Sequence, residues 1–276
     1  MSDSEHILTR PPPPANHRFS YGSNPYQFGD LRIPEGDGPH PVLAFIHGGF
    51  WRASYDLEHS GHLCAALAAT GIATWNIEYR RLGNLGGGWP GTFRDVARGI
   101  KFLRVLAPKF SLDLGQVSVM GHSAGGHLAL WVAAARKIPE SSPIAIDEPL
   151  PLCGVVSLAG VCDLILAWKL GLSDWVVEEL LEGGPQEYPA RYAHTSPKEL
   201  LPLGVTQVLI HGRRDQDVPY ELSERYITAA LANKDEVTFI SLPDIGHFEL
   251  IDPNSSVWQH VYAAAKQTFT SFSTSL

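Results

Sequence analysis

Residues 117–125 read VSVMGHSAG, and this stretch decides the fold. The apolar run Val117–Met120 is typical of a strand buried inside a sheet, and a helical pattern follows over Ala124–Arg136. Between the two lies a GxSxG string, whose glycines let the backbone turn abruptly from strand to helix. Such a turn projects Ser123 from the carboxyl edge of the sheet. We therefore predict a nucleophile elbow with Ser123 as the nucleophile.

Short apolar runs alternate with helical patterns along the rest of the chain. The runs lack the polar alternation of a half-exposed strand, so we predict strands buried on both faces. They are Val42–Ile46, Ile72–Ile77, Val117–Met120, Gly154–Leu158, Val208–Ile210 and Val237–Leu242. Predicted helices cover Leu57–Ala69, Thr92–Leu106, Ala124–Arg136, Tyr220–Ala232 and Val257–Phe269. The alternation predicts an α/β fold with a mostly parallel central sheet and helices on both faces.

Two segments depart from this alternation. Residues 1–18 contain four consecutive prolines and predict a flexible N-terminal arm, followed by a single domain over residues 19–276. The segment Phe19–Ile33 favours one or two antiparallel edge strands. Between Leu158 and Val208 no convincing strand occurs, and the turn-rich string GGPQEYP lies in this interval. We interpret it as a small cap inserted at about residues 162–203 over the active site.

The composition argues against several classes of protein. The formal net charge is -8 without a long run of Lys and Arg, so we expect no nucleic acid partner. The three cysteines, Cys64, Cys153 and Cys162, form no CxxC pair or metal-ligand cluster, which indicates reduced, buried thiols. No segment approaches the roughly 20 apolar residues that cross a bilayer, and the acidic N-terminus lacks the features of a signal peptide. We expect a cytoplasmic protein that does not enter a membrane.

A serine hydroxyl needs a base to take its proton, so a histidine must come from elsewhere in the fold. His247 follows the last predicted strand and precedes the C-terminal helix. The chain order of this architecture is serine, acid, histidine, so we predict His247 as the general base. The carboxylate that orients it is expected after strand Val208–Ile210, where both Asp215 and Asp217 occur. Asp215 is preferred because it lies nearer the strand end, whereas Asp217 is also placed to cap the next helix.

Acyl transfer also needs hydrogen-bond donors for an oxyanion. The backbone N–H of Ala124, at the start of the helix after the elbow, is one predicted donor. The string HGGFW at residues 47–51 follows strand Val42–Ile46, and its glycines allow N–H groups to point into the site. We predict that Gly49 and Phe50 supply the remaining donors of the oxyanion hole.

Aromatic and histidine residues near these motifs are candidates for a substrate pocket. They are Trp51, Trp89, His122 and Phe248, with Trp168 and Trp175 in the expected cap. Each aromatic ring fits the apolar core equally well. His122 and His127 also have structural interpretations as neighbours of the elbow. Glu78 and Tyr79, at the end of a predicted strand, either contact substrate or order the loop that contains Gly86-Gly87-Gly88.

These motifs resemble the α/β-hydrolase superfamily from Val42 to the C-terminal helix. Within it, HGGFW, the GHSAGGHLA run that begins at Gly121 and the GHFELI run that begins at Gly246 look like kynurenine formamidases. The resemblance implies a cytosolic, cofactor-free hydrolase of an N-formyl aryl amide, with Gly49 at the oxyanion hole and Trp51 behind it. Similar motifs occur in small-molecule carboxylesterases, including feruloyl and acetyl-xylan esterases. The hormone-sensitive-lipase group more often has HGGG, where this chain has Phe50 in place of the third glycine.

Residues and resemblance together predict a serine hydrolase that cleaves a small carboxylic ester or aryl formamide through an acyl-enzyme, with no metal and no cofactor. A feruloyl or acetyl-xylan type esterase is the first alternative. The second is a small-molecule-binding protein that keeps the hydrolase scaffold without turnover. A peptidase has no support, since no size-excluding domain precedes the hydrolase segment. The expected partner is a small-molecule ester or amide, and the sequence leaves open a homodimer, the physiological substrate and the pathway.

Overall fold

The computed structural model describes residues 3–270, and eight strands within this range form one sheet. They are β1 (His17–Ser20), β2 (Phe28–Arg32), β3 (His40–Ile46), β4 (Ala73–Ile77), β5 (Leu112–His122), β6 (Gly154–Leu158), β7 (Thr206–Gly212) and β8 (Val237–Leu242). Their order across the sheet is β1-β2-β4-β3-β5-β6-β7-β8. The β1–β2 and β2–β4 pairs are antiparallel, and all the other pairs are parallel. The predicted parallel sheet with an antiparallel edge is thus confirmed.

The sheet separates two apolar cores, which explains the continuous apolar runs in its central strands. Val42, Ala44 and Ile46 of β3 belong to one core, whereas Leu43 and Phe45 belong to the other. Successive side chains of a strand point to opposite faces, so a strand covered on both sides needs apolar residues at every position. The continuous apolar runs of the sequence follow from this double burial.

Nine α-helices lie within the described residues. They are α1 (Gly61–Ala68), α2 (Gly91–Lys101), α3 (Leu103–Phe110), α4 (Ala124–Ala133), α5 (Leu164–Lys169), α6 (Leu172–Leu181), α7 (Pro189–Thr195), α8 (Glu221–Ala232) and α9 (Trp258–Thr270). Side chains of α1 and α9 pack into one core, and those of α2, α3, α4 and α8 into the other. The helix predicted over Thr92–Leu106 is in fact two helices, which meet at Phe102. None of the described helices is long and apolar enough to cross a membrane.

The interval between β6 and β7 holds the helices α5, α6 and α7 and a 3-10 helix, Pro197–Leu200. This is the segment predicted as a cap. Inside α6, residues Ser173, Asp174 and Trp175 have positive φ angles of 46°, 55° and 60°, so the segment is kinked rather than regular. The boundaries of cap and domain stay predictions, and residues 271–276 of the predicted domain lie outside the described part.

The N-terminal arm packs against the domain over its described length. A 3-10 helix spans Asp3–Leu8, and Ile7 within it is 2% exposed and belongs to the same core as α1 and α9. Arg10 then pairs with Asp252 at 3.4 Å and hydrogen-bonds to His62 at 3.0 Å. The described part of the predicted arm thus contacts the domain through a buried isoleucine, and the flexibility of the arm stays a prediction.

Candidate active site

Ser123 stands at the turn between β5 and α4, in a backbone conformation that L-residues rarely adopt. Its φ and ψ are 56° and -120°, and its N–H donates to the Leu158 carbonyl at 2.8 Å. A Cβ at Gly121 would overlap the Gly125 carbonyl, and one at Gly125 would overlap the Ile46 carbonyl. Only glycine therefore fits both positions, and the turn is as tight as the GxSxG string predicts.

His247 and Asp215 meet at the same edge of the sheet, from the loops after β8 and β7. The His247 Nδ1 atom lies 2.6 Å from Asp215 Oδ2, and the side chains are 4% and 0% exposed. The other carboxylate oxygen, Oδ1, accepts the backbone N–H groups of Asp217 and Val218 at 2.9 and 2.8 Å. Burial alone raises the pKa of Asp215, but the hydrogen bonds from His211 and His247 outweigh it and hold that pKa well below its usual value. Asp215 is thus a fixed carboxylate, whose charge stabilises a proton on the His247 ring.

A second histidine, His211, also contacts Asp215. Its Nε2 atom is 3.1 Å from both Asp215 Oδ2 and the Val218 carbonyl oxygen. A carbonyl only accepts, so Nε2 carries the proton, and Nδ1 accepts from the Ser223 hydroxyl at 2.7 Å. His211 was not among the predicted site residues, although its position at the end of β7, four residues before the acid, was a signal for it.

Asp217 occupies a different place from Asp215. It lines the cavity that also contains Ser123 and His247, and burial raises its pKa. The ligand atoms of Asp215, Asp217 and His247 lie within 4.8 Å of one another, the spacing at which such groups hold a cation. Among them, His247 Nδ1 and Asp215 Oδ2 are hydrogen-bonded to each other. His247 is therefore paired with Asp215, and Asp217 lies at the cavity wall.

The loop of the HGGFW string lies directly against the serine. A Cβ at Gly48 would sit 3.0 Å from the Ser123 Cβ. Gly49, Phe50 and Trp51 have successive positive φ angles of 107°, 50° and 56°. Each non-glycine residue in this region costs about 1 kcal/mol or more, so the loop keeps its shape only if its neighbours hold it. Gly49 and Phe50 line the cavity, which is where the predicted oxyanion donors should be.

Two buried residues at the end of β4 hold the beginning of this loop. Glu78 is 1% exposed and contacts His47 Nε2 at 3.0 Å, while its other oxygen accepts the Leu57 N–H at 3.1 Å. The Tyr79 hydroxyl donates to the His47 carbonyl at 2.9 Å, and the two rings stack at 4.5 Å. Glu78 and Tyr79 thus order the beginning of the His47 loop, a role that differs from the ordering of the Gly86–Gly88 loop expected from the sequence.

Trp51 holds the end of the loop. It is 0% exposed, and its indole N–H donates to His127 Nδ1 at 3.2 Å. His127 Nε2 in turn donates to the Thr195 carbonyl at 2.9 Å. Burial lowers the pKa of His127 to about 4, so the ring is neutral and can accept from the indole. This chain of hydrogen bonds links the loop, helix α4 and the segment predicted as a cap.

The predicted pocket residues fall into two groups. His122 and Phe248 line the cavity, and the His122 and His247 rings lie 4.3 Å apart. Trp51 and Trp89 do not line this cavity, and their role in a substrate pocket stays a prediction. Trp51 is packed in the core, and Trp89 packs against Phe93 at 5.9 Å. Trp168 and Trp175 pair with each other at 5.6 Å, also away from the cavity lining.

The cavity is small, with about 30 Å³ open to the centre of a water molecule. Its walls combine the predicted machinery with residues that no motif indicated. They are Leu8, Gly49, Phe50, Tyr55, His59, His122, Ser123, Asp217, His247 and Phe248. Leu8, Tyr55 and His59 were missed because they come from segments distant in the chain or from a loop without a recognisable pattern.

The mostly parallel sheet, the strained serine turn and the histidine–aspartate pair at its carboxyl edge define an α/β-hydrolase fold. A sequence profile of the BD-FAE family matches residues 30–229, and the chain belongs to this family.

Several curated proteins are similar to this chain. Esterase LipC of Mycobacterium tuberculosis is 27% identical over 247 residues, which cover 85% of this chain and 60% of LipC. A probable isoprenylcysteine alpha-carbonyl methylesterase, ICME, of Oryza sativa subsp. japonica is 28% identical over 218 residues, which cover 75% of this chain and 51% of that protein. The chain thus spans between half and two thirds of these curated relatives.

Solved structures with the same fold include esterase B from Lactobacillus rhamnosis and a truncated carbohydrate esterase from gut microbiota. The first has a TM-score of 0.81 at 22% identity and covers 98% of this chain and 92% of its own. The second has a TM-score of 0.78 at 22% identity and covers 95% of this chain and 100% of its own. At this identity the two structures support the fold.

Proposed function

We propose that this protein is a serine hydrolase that cleaves a small carboxylic ester through an acyl-enzyme. The observation that carries the proposal is a single cavity lined by both Ser123, on its strained turn, and His247, whose ring is bonded to Asp215 at 2.6 Å. A nucleophile, a base and an acid that orients the base are what acyl transfer requires. Membership of the BD-FAE family and the esterase names of the relatives support an ester as substrate.

The reaction begins with attack by the Ser123 oxygen on the ester carbonyl carbon, while His247 Nε2 takes the hydroxyl proton. The oxyanion of the tetrahedral intermediate accepts hydrogen bonds from the backbone N–H of Ala124 and from Gly49 and Phe50. Asp215 stays ionised and stabilises the imidazolium. When the intermediate collapses, the alcohol leaves with the proton from His247.

Deacylation repeats these steps with water. His247 takes a proton from the water as its oxygen bonds to the acyl carbon, and the carboxylic acid leaves as Ser123 recovers its proton. The same groups serve both half-reactions, and the scheme needs no metal or organic cofactor. The site's shape and donors would serve an aryl formamide in the same way.

We prefer an ester to an aryl formamide as substrate because Trp51, the tryptophan of the HGGxW motif, has a structural role. Trp51 is buried against His127 and holds the loop, so it need not recognise an aryl ring. We also propose that the substrate partner is a small molecule rather than nucleic acid, given the net charge of -8. A cytoplasmic location is proposed from the free, buried cysteines.

The test is a substrate panel run on the Ser123→Ala variant and on the unmodified protein. The panel contains p-nitrophenyl acetate, methyl ferulate, acetylated xylan and an N-formyl aryl amide. We expect ester hydrolysis and fluorophosphonate labelling by the unmodified chain, and loss of both in Ser123→Ala. Ser20→Ala is the matched control, because this serine is exposed on edge strand β1.

Each result separates the proposals. Activity that survives Ser123→Ala would place the chemistry elsewhere. Binding of the substrates without turnover or labelling would favour the non-catalytic alternative. If the N-formyl aryl amide is cleaved in preference to the esters, the substrate is a formamide rather than an ester, and the mechanism is unchanged.

A further inference from the structure

The N-terminal 3-10 helix, Asp3–Leu8, lies over the catalytic cavity. It packs against two other 3-10 helices, Leu57–Ser60 and Phe248–Ile251. Each of these carries a cavity residue, namely His59 and Phe248. The N-terminal helix contributes Leu8 to the same cavity. A segment more than 100 residues from the serine in the chain therefore completes the wall around it.

The space beside Ser123 is small, with about 30 Å³ open to the centre of a water molecule. A water molecule needs about 10–15 Å³ of such space, so the cavity holds roughly two waters. Each wall residue therefore restricts the size of the group that an ester can place there.

Most of the walls are held firmly in place. Gly49 and Phe50 belong to the loop tied down through His47 and Trp51. His122 is buried and bonded to the His247 carbonyl at 3.1 Å. These residues cannot move without disturbing the groups assigned to the reaction.

Leu8 is attached more lightly. Its neighbour Ile7 is the buried anchor, packed in a core that includes Leu250 and Ile251. Beyond it, Arg10 pairs with Asp252 through side chains that are 39% and 24% exposed, and partly exposed pairs of this kind hold weakly. The Leu8 side chain is itself only partly buried. Leu8 thus lines the cavity from a segment whose buried anchor is the preceding residue, Ile7.

We propose that Leu8 is a specificity-determining residue, which closes one end of the catalytic cavity and limits the length of the apolar group that an ester can place there. This inference rests on the proposed function, because it assigns a substrate range to the same site. It predicts a preference for acetyl-sized groups. Leu8, Phe50 and Phe248 all contribute apolar side chains to the wall, so a charged group against them is disfavoured.

The experiment measures kcat/KM for p-nitrophenyl acetate, butyrate, hexanoate and octanoate, and for acetate esters of alcohols of increasing length. The variants are Leu8→Ala, which lengthens the cavity, and Leu8→Phe, which shortens it. Thr9→Ala is the matched control on the same arm, because Thr9 is exposed and does not line the cavity. Thermal unfolding of each variant verifies that the fold is retained.

We expect Leu8→Ala to raise the ratio of kcat/KM for the longest ester to kcat/KM for the shortest by about tenfold, either in the p-nitrophenyl series or in the alcohol series. A tenfold effect is usual when a pocket gains space for one methylene or more. Leu8→Phe should lower the same ratio, and Thr9→Ala should leave it unchanged. If both Leu8 variants keep the ratio of the unmodified chain in both ester series, the inference about Leu8 is wrong, and the proposed hydrolase function is unaffected. Failure of the unmodified chain to react with a fluorophosphonate would refute the proposed function, and the inference with it.

Discussion

Replacing Asp215 by Asn tests how the structure assigns protons in the site. The Asp215 Oδ1 atom accepts two backbone N–H groups, from Asp217 and Val218, so the amide oxygen of an Asn must stay on that side. The amide NH₂ then faces His247 Nδ1 and His211 Nε2. Because Val218 already fixes a proton on His211 Nε2, only His247 can adapt.

His247 adapts by giving up its Nδ1 proton and accepting from the amide. The neutral ring then carries its proton on Nε2, the atom that must take the Ser123 proton, so the base is blocked. The same exchange in a Ser-His-Asp triad lowers kcat by about 10⁴, which is about 5 kcal/mol of activation free energy. We expect Asp215→Asn to lose about this much with p-nitrophenyl acetate, and to react slowly with a fluorophosphonate.

The matched control is Asp217→Asn, two residues away and with a carboxyl group at the wall of the same cavity. Its side chain does not bond to His247, so we expect kcat to change by less than about tenfold. Urea denaturation of both variants separates a loss of activity from a loss of folded protein. The assignment of Asp215 as the acid would be refuted if Asp217→Asn lost most of the activity and Asp215→Asn kept it, because Asp217 would then orient His247.

Two further predictions concern the buried groups around the site. Trp51→Phe removes the bond to His127, so we expect a loss of about 1–3 kcal/mol in the free energy of unfolding and a fall in kcat as the strained loop relaxes. Trp75→Phe is the control in the same urea and kinetic assays. The Trp75 indole N–H donates to the Gly99 carbonyl at 2.9 Å, and this hydrogen bond does not involve the loop. An equal fall in kcat in both variants would contradict the role of Trp51. Burial lowers the pKa of His59 to about 3 and of His127 to about 4, so between pH 6.5 and these values the unfolded chain binds protons that the folded chain does not. The free energy of unfolding is therefore highest above about pH 6.5 and falls below it, by about 2 kcal/mol for each histidine at pH 5. Urea denaturation that gives the same free energy of unfolding at pH 7.5 and at pH 5 would exclude this prediction.

Much of the fold could be predicted because its evidence is local. A nucleophile turn needs small residues at fixed places next to Ser123, and a doubly covered strand needs an unbroken apolar run, so both leave marks within about ten residues. The helix break at Phe102 was missed, since both halves share one apolar pattern. The packed position of Ile7 was missed as well, because one isoleucine in a polar, proline-rich segment is not a pattern.

The sequence by itself determined the α/β architecture, the turn at Ser123 and the order of serine, acid and histidine, since each of these follows from residue types at short spacing. Only the tertiary structure decided that Asp215 rather than Asp217 contacts His247, that Trp51 hydrogen-bonds to His127, and that Leu8 lines the cavity beside Ser123. These outcomes depend on which side chains meet after distant segments pack together. Such meetings are set by the direction of each Cα–Cβ bond at the sheet edge, which no spacing along the chain reveals.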